Sequence, residues 1–264
     1  MLTLSFASYL FSLWKRPLLY AGLVLQIVYI SSKGAELGRL PLVGPHDTLV
    51  FLTASMVAFA IPFAFSLKDR GRFFNALAIM AALFTAFVMT TKQHNSPLPP
   101  ILKTFWFECH VVLAFMSYAL FGIAAILGSI YLSPIGTVSM KSGEDNPSSP
   151  SPAKGGASIP DVQTARFESD GLAYRAVLIG YCLFTLSMIF GGIWAYLAWG
   201  TYWLWTPKEL WTSILWGFYS FYLHARLRQW WTGRPMAVLG IAGFAITLFT
   251  YLGVSLLMKS SHSF

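Results

Sequence analysis

Apolar runs long enough to cross a bilayer alternate with short polar segments along nearly the whole chain. About 20 helical residues cross roughly 30 Å of hydrocarbon. Seven runs approach or exceed that length, and they cover residues 17–32, 47–66, 73–91, 109–132, 173–196, 211–227 and 236–258. The pattern predicts an all-α fold, a polytopic transmembrane helix bundle with about seven spans.

A shorter apolar segment precedes the first run. Residues 2–13 are apolar apart from one threonine and three serines, and Lys15, Arg16 and Pro17 follow shortly after them. Such a segment with basic residues at its end is typical of a helix that lies at the membrane surface. We expect an interfacial helix here. Because no basic region or small-residue cleavage site accompanies it, we expect no removable signal peptide.

One polar stretch interrupts the apolar runs. Residues 142–170 are rich in Ser, Pro and Gly, hold five of the ten acidic residues and show no apolar period. This composition is typical of a flexible linker. We predict a linker over residues 134–172. It would separate an N-terminal membrane half of four spans (1–133) from a C-terminal half of three spans (173–264).

Composition agrees with a membrane protein. Of the 264 residues, 56% are hydrophobic, 17% aromatic and only 11% charged. Soluble domains carry about 25% charged residues, so an ordinary cytosolic enzyme and a disordered chain are both excluded. Cys109 and Cys182 are far apart and form no C-x-x-C or C-x-x-C-H motif. A disulfide scaffold, a zinc finger and a c-type cytochrome therefore have no basis.

The basic residues fall unevenly on the two sides of the predicted bundle. With the N-terminus inside, twelve Lys and Arg lie in inner segments and six in outer ones. Cytoplasmic loops carry such an excess. We predict a multi-pass protein of a bacterial-type inner (cytoplasmic) membrane, with the N-terminus inside and the C-terminus outside. Topology then accounts for the net charge of +8, and nucleic acid is not an expected partner.

The densest aromatic stretch is the loop 199–211, with the sequence WGTYWLWTPKELW. Its tryptophans are Trp199, Trp203, Trp205 and Trp211. Tryptophans gather at bilayer interfaces in most membrane proteins, so an aromatic belt is one interpretation. The density favours another, a surface that stacks on a large flat apolar ligand while polar residues address its charged edge.

The same loop contains the start of the next membrane helix. Thr206-Pro207-Lys208-Glu209 matches a capping box with proline at the first helical position. Thr206 is therefore the predicted N-cap. The free N–H groups of a helix start favour a ligand's carboxylate.

Two histidines flank this loop on the outer side. His110 opens the fourth span, and His262 follows the last one. Each alone is compatible with an exposed loop histidine. Together, beside the four tryptophans of the loop 199–211 (the tryptophan platform), they suit bis-imidazole ligation of a haem iron, which needs two neutral imidazoles.

The positions of the other three histidines do not indicate one particular function. His224 lies 13 residues after Trp211, hence about 20 Å deeper at 1.5 Å per residue. An imidazole at that depth is a functional candidate, and a histidine hydrogen-bonded near the cytoplasmic end is an equal alternative. His46 and His94 are both outer. Single loop histidines are usually solvated, so we assign neither of them a role.

The tryptophan-rich loop resembles the WWD haem-handling domain of CcsA-type (ResC-type) cytochrome c biogenesis proteins. WGTYWLWTPKELW, followed by YSFYLHARL, carries the resemblance. Further matches are Tyr174-Arg175, Gly38-Arg39-Leu40-Pro41-Leu42, Asp47-Thr48-Leu49, His110-Val111, Ser117-Tyr118, FTYLGV at 249–254 and His262-Ser263-Phe264. The similarity covers nearly the whole chain except the linker.

The resemblance implies haem transport and presentation for covalent attachment to apocytochrome c. Proteins of this family act with a CcsB/ResB-type membrane partner. They carry haem to the outer face and present it to C-x-x-C-H apocytochromes, so a haem lyase (cytochrome c synthase) subunit is implied, with haem b as the transported substrate.

The resemblance also implies roles for individual residues. His110 and His262 match the family's external haem ligands, and His224 matches its C-terminal intramembrane histidine. We expect the CcsB-type partner to supply the second intramembrane histidine. Lys208, Arg39 or the helix start after Thr206 would meet the haem propionates.

Two positions depart from the family pattern. Thr206 stands where the family has the aspartate of its WWD motif, and Ser255 stands near the end where asparagine is usual. Threonine keeps the capping role but removes a negative charge. This departure leaves a second interpretation open, in which the chain is a HemX-like membrane protein that regulates haem biosynthesis through glutamyl-tRNA reductase. A non-haem transporter with an interfacial tryptophan belt is the third alternative.

Overall fold

The computed structural model describes residues 1–68, 70–93, 99–133 and 159–254, and every regular element in them is helical. The helices in chain order are α1 (Leu2–Phe11), α2 (Pro17–Leu37), α3 (Pro45–Phe65), α4 (Arg70–Thr90), α5 (Phe105–Leu132), α6 (Ile159–Trp199), α7 (Pro207–Leu227) and α8 (Arg234–Leu248). A short 3₁₀ helix precedes α5 (Pro100–Leu102), and a π-helix follows α8 (Phe249–Gly253).

Within these described ranges, six helices are long and apolar enough to cross a membrane, namely α2 to α6 and α8 with the π-helix. The seventh predicted span, α7, is also 21 residues long but carries more polar side chains. The all-helical, multi-pass membrane fold predicted from the apolar runs is confirmed.

Helix α5 lies at the centre of the bundle and packs on α3, α4, α6 and α8. Small residues allow the close approaches: a Cβ on Gly128 would lie 2.8 Å from the carbonyl oxygen of Ala237 in α8. Phe121 stacks on Tyr219 of α7, with ring centroids 3.7 Å apart. Small residues and aromatic contacts of this kind hold helices together where the surroundings are already apolar. The two predicted membrane halves therefore share one core.

Helix α1 is attached to the bundle by its polar side chains. The Tyr9 hydroxyl donates to Gln26 Oε1 of α2 at 2.7 Å, and Gln26 Nε2 donates to Thr85 Oγ1 of α4 at 3.2 Å. Ser5 and Ser8 donate to carbonyl oxygens of α2. Two of the three serines that interrupt the apolar pattern of this segment thus face α2.

Helix α6 begins earlier than the sequence predicts. Residues 159–172 of the predicted linker form its first turns, and the linker prediction is wrong for this part. Asp170 Oδ2 pairs with Arg226 Nη2 of α7 at 2.6 Å, and Ser169 and Leu172 are buried. These contacts with other helices stabilise a segment that has no apolar period of its own. Residues 134–158 lie outside the described ranges.

Candidate functional site

His110 lies in the second turn of α5, against α6. Its Nδ1 is 2.8 Å from the carbonyl oxygen of Ser187 and 3.1 Å from Ser187 Oγ. The same hydroxyl donates to the carbonyl oxygen of His110 at 2.8 Å. A Cβ on Gly191, one turn further along α6, would lie 2.6 Å from His110 Nδ1. The imidazole therefore fits against α6 because residue 191 has no side chain.

These contacts place a proton on Nδ1 of His110. A carbonyl oxygen only accepts, so Nδ1 carries the proton and donates it to Ser187. The hydroxyl proton of Ser187 is already used on the backbone, which agrees with Nδ1 as the donor. In the neutral imidazole, which is the form that ligates metal ions, the lone pair is then that of Nε2. Such a hydrogen bond from the second nitrogen also fixes the ring orientation.

The tryptophan-rich loop is held by a single carboxylate. Glu209 Oε2 accepts from the backbone N–H groups of Leu204 and Thr206, each at 2.9 Å. Glu209 N–H in turn donates to Thr206 Oγ1 at 3.3 Å, which confirms the predicted capping box. Trp205, between the two N–H donors, has φ +57° and is 75% exposed. This left-handed conformation is rare for a bulky residue, so the Glu209 contacts hold Trp205 in an outward position.

The other residues predicted for the platform are less exposed. Trp199 packs edge-on against Trp194 at 4.8 Å between centroids, and Trp211 packs against Phe249 at 4.6 Å. Trp203 and Lys208 are partly buried. The four predicted tryptophans thus have different surroundings, and Trp205 is the most open of them.

The π-helix Phe249–Gly253 joins the loop to the N-terminal part of the chain. Phe249 contacts Trp211, and the Tyr251 hydroxyl hydrogen-bonds to Thr48 Oγ1 of α3. The Tyr251 ring also packs edge-on against Phe115 of α5 at 4.9 Å. A π-helix inside a helical segment often marks a functional position. This π-helix directly precedes residues 255–264. The predicted ligand His262 is one of these residues and lies outside the described ranges.

His224 lies far from this region, in the last turn of α7. The side chain is exposed, and its ring packs edge-on against Trp230 at 5.0 Å between centroids. Two residues later, Arg226 pairs with Asp170 of α6. The structure therefore separates His224 from His110 by most of the bundle, as the spacing along α7 predicts.

His46, to which the sequence assigned no role, belongs to a buried polar cluster. It lies in the first turn of α3, is buried, and its Nδ1 is 3.0 Å from Asp47 Oδ1. Lys33 Nζ of α2 lies 2.6 Å from the same oxygen. A carboxylate and an ammonium from two helices therefore lie beside His46, and its ring is shielded from solvent. His94 lies outside the described ranges.

Trp194 is a site neighbour that sequence reasoning missed. It is buried, its Nε1–H donates to the carbonyl oxygen of Ile101 at 2.8 Å, and it packs with Val43 and Leu102. Its ring supports Trp199. The available signal was its position five residues before Trp199 on the same predicted helix.

Comparisons with known proteins agree with this arrangement. The family model of the cytochrome C assembly protein matches residues 44–262. The chain is 34% identical over 262 residues to the cytochrome c biogenesis protein CcsA of Porphyra purpurea, covering 89% of this chain and 82% of that protein. It is 33% identical over 261 residues to the CcsA of Thermosynechococcus vestitus, with the same coverage.

A third relative gives a similar result. The CcsA of Synechocystis sp. is 31% identical over 278 residues, covering 89% of this chain and 83% of that protein. The family match over residues 44–262 includes the loop 199–211, α5 with His110 and α7 with His224. The chain belongs to the cytochrome c assembly protein family.

Proposed function

We propose that this protein acts in cytochrome c assembly by holding haem at its outer face and presenting it for covalent attachment to apocytochrome c. Membership of the cytochrome c assembly family implies haem handling. The finer proposal is that the iron is held between His110 and His262, while the exposed rings of the loop 199–211 contact the macrocycle.

The observation that carries the proposal is the position of His110. Its Nδ1–H is donated to Ser187 of α6, so in the neutral imidazole Nε2 is the nitrogen that can ligate iron. The protein fixes this imidazole before any ligand arrives. A fixed ligand loses less conformational entropy on binding than a mobile one.

The second support is the outward position of Trp205. Its backbone is held by Glu209 through Leu204 and Thr206, so the indole is presented on a constrained segment. Indole faces stack on flat aromatic ligands. Lys208, in the first turn of α7, is the group we assign to the propionates.

The remaining parts of the proposal concern the haem's route and its partners. We propose that haem b is the substrate, that it enters through an intramembrane site with His224, and that a CcsB/ResB-type chain supplies the second histidine there. The acceptor is an apocytochrome with C-x-x-C-H, whose thiols bring the nucleophiles. The N-terminus lies inside and the C-terminus outside, in a bacterial-type inner membrane.

A cavity-rescue experiment tests the role of His110. The His110→Gly variant is purified with its CcsB-type partner, and haem per protein is measured with and without millimolar imidazole. We expect the variant to lose most of the outer-site haem and free imidazole to restore it, since imidazole replaces the deleted ligand. Cys109→Ser, at the neighbouring position of α5, should keep the wild-type haem content. An unchanged haem content in His110→Gly would show that His110 does not hold haem in the outer site.

A further inference from the structure

The turn that ends α7 brings an aromatic ring onto His224. Gln229 has φ +54°, a left-handed conformation in which glycine is usual. Its N–H donates to the Arg226 carbonyl oxygen at 3.1 Å. The N–H of Trp230 donates to the Ala225 carbonyl oxygen at 3.0 Å. These two bonds form a Schellman motif, in which the residue after the left-handed one packs back on the last turn of the helix.

The Trp230 ring is the contact that restrains the His224 imidazole. The two rings meet at 76°, with their centroids 5.0 Å apart. His110 is held differently, by a hydrogen bond from Nδ1 to Ser187. Within the part of the chain that the structure describes, neither nitrogen of His224 has a hydrogen-bond partner. Metal-ligating histidines are almost always oriented by such a bond. An edge-on aromatic pair is also favourable, so the ring contact takes its place here.

The restrained imidazole lies in an open aromatic surface. His224 is exposed, and Trp230 is 59% exposed. Phe221, one turn before His224 on α7, packs edge-on against Trp231 at 5.5 Å, and both of these rings are also exposed. An interfacial belt accounts for exposed tryptophans, but it does not require one of them to contact an imidazole. Aromatic rings around an accessible imidazole suit a flat apolar ligand that carries a metal ion.

We propose that Trp230 is a positioning residue for His224, which holds the imidazole ready for the iron of an entering haem. This inference rests on the intramembrane site with His224 proposed above. Trp230 acts through the ring of His224, whereas the bonds of the turn involve only its backbone. Replacement of the indole should therefore weaken haem binding at this site and leave the end of α7 folded.

Haem titration of the full-length protein with its CcsB-type partner tests this proposal. All variants carry His110→Ala, so that the outer site is removed and the Soret absorbance reports the site with His224. Trp230→Leu keeps an apolar side chain for the turn but removes the ring. We expect it to weaken haem binding about two- to tenfold, the fold-change that one aromatic pair is worth. It should also raise the high-spin fraction of the bound haem, because a misplaced axial ligand binds the iron poorly.

Two further variants separate positioning from a general effect of tryptophan. Trp230→Phe keeps a ring against His224 and should retain most of the affinity and of the low-spin haem. Trp14→Leu is the matched control, since Trp14 is an exposed tryptophan just before α2, at the same end of the bundle. We expect it to change neither value. Equal losses in Trp230→Leu and Trp14→Leu would mean that interfacial tryptophans act without regard to His224, which would overturn the proposal.

His224→Ala in the same background distinguishes this proposal from the one on which it rests. If His224→Ala weakens haem binding and Trp230→Leu does not, the site with His224 stands and the role of Trp230 is wrong. If His224→Ala leaves haem binding unchanged, both the site and the role of Trp230 are wrong. Losses in both, with the affinity retained in Trp230→Phe, are the result that we expect.

Discussion

His110 is positioned by the backbone of a neighbouring helix and by the absence of a side chain at Gly191. The Ser187 carbonyl oxygen receives the Nδ1 proton, and the space for the ring comes from glycine. The imidazole therefore depends on a close approach between α5 and α6. A change that widens this approach should disturb the ligand without touching it directly.

Gly191→Ala should lower haem retention several-fold, because its Cβ would lie 2.6 Å from His110 Nδ1 and must displace the ring. Gly192→Ala is the matched control, since its Cβ would meet no atom closer than the Tyr202 carbonyl oxygen at 3.7 Å. The measurement is the Soret absorbance per protein after purification. Equal haem in the two variants would show that the contact with α6 does not position His110.

Trp205 keeps a backbone conformation that is unfavourable for its residue type. A non-glycine residue in the left-handed region costs about 1–2 kcal/mol, and such strain is retained mainly where function requires it. Burial of the side chain does not offset this cost, since Trp205 is 75% exposed. We interpret Trp205 as a residue kept for ligand contact.

Trp205→Gly should leave the unfolding free energy within about 1 kcal/mol of wild type, because relief of the positive φ offsets the flexibility of glycine in the unfolded chain. Haem retention should nevertheless fall. Trp205→Phe, which keeps an aromatic ring, should retain more haem than Trp205→Gly. A large loss of thermal stability in Trp205→Gly would instead indicate a structural role for the indole.

The capping box of α7 connects the loop to a membrane helix. Thr206 Oγ1 accepts from Glu209 N–H, and Glu209 returns contacts to two N–H groups of the loop. The helix start and the loop conformation thus depend on the same two side chains. Threonine, at the position where the resemblance implies aspartate, keeps the capping function.

Thr206→Ala should destabilise the protein by about 1 kcal/mol, the usual cost of removing an N-cap side chain. Thr206→Asp should keep the stability, since a carboxylate caps equally well, and it restores the family residue. Thermal unfolding in detergent measures both. A destabilisation in Thr206→Asp as large as that in Thr206→Ala would show that the position does not act as a cap.

Helices α2 and α3 are joined by a buried ion pair. Lys33 is 7% exposed and Asp47 2%, and their side chains meet at 2.6 Å. Removing one partner of a buried pair leaves an uncompensated charge, which costs about 3–5 kcal/mol. The pair therefore fixes the packing of two membrane helices near the site.

Asp47→Ala should strongly lower the thermal unfolding midpoint, because it leaves Lys33 buried without its carboxylate. The double variant Lys33→Met with Asp47→Ala should recover much of the loss, since no charge remains to be desolvated. Thermal unfolding of the single and double variants measures this difference. A double variant no more stable than Asp47→Ala would show that the carboxylate is needed for other contacts, including that with His46.

At the scale of the whole molecule, the sequence predicts what is local or strongly periodic. The apolar runs predict the membrane helices, and the four residues after Trp205 predict the capping box, because both depend on neighbours along the chain. The start of α6 at Ile159 was missed because its first turns are stabilised by the Asp170–Arg226 pair with α7. No local pattern reports such a contact.

The candidate site also combines features that the sequence predicts with features that it does not. The positions of His110 and of the tryptophans could be predicted from spacing and resemblance. The Ser187 contact lies 77 residues away in the chain, and the burial of His46 depends on Lys33 from another helix. The left-handed backbone of Trp205 depends on two contacts to one carboxylate. These features arise from the folded arrangement, so a single sequence does not reveal them.

The most direct test of the account is the absorption spectrum of the detergent-purified protein, oxidised and reduced, with and without a co-expressed CcsB-type partner. Bis-imidazole ligation predicts a Soret band with sharp reduced α and β bands. We expect His110→Ala and His262→Ala each to remove this spectrum. Absence of haem under every condition, or an unchanged spectrum in both variants, would contradict it.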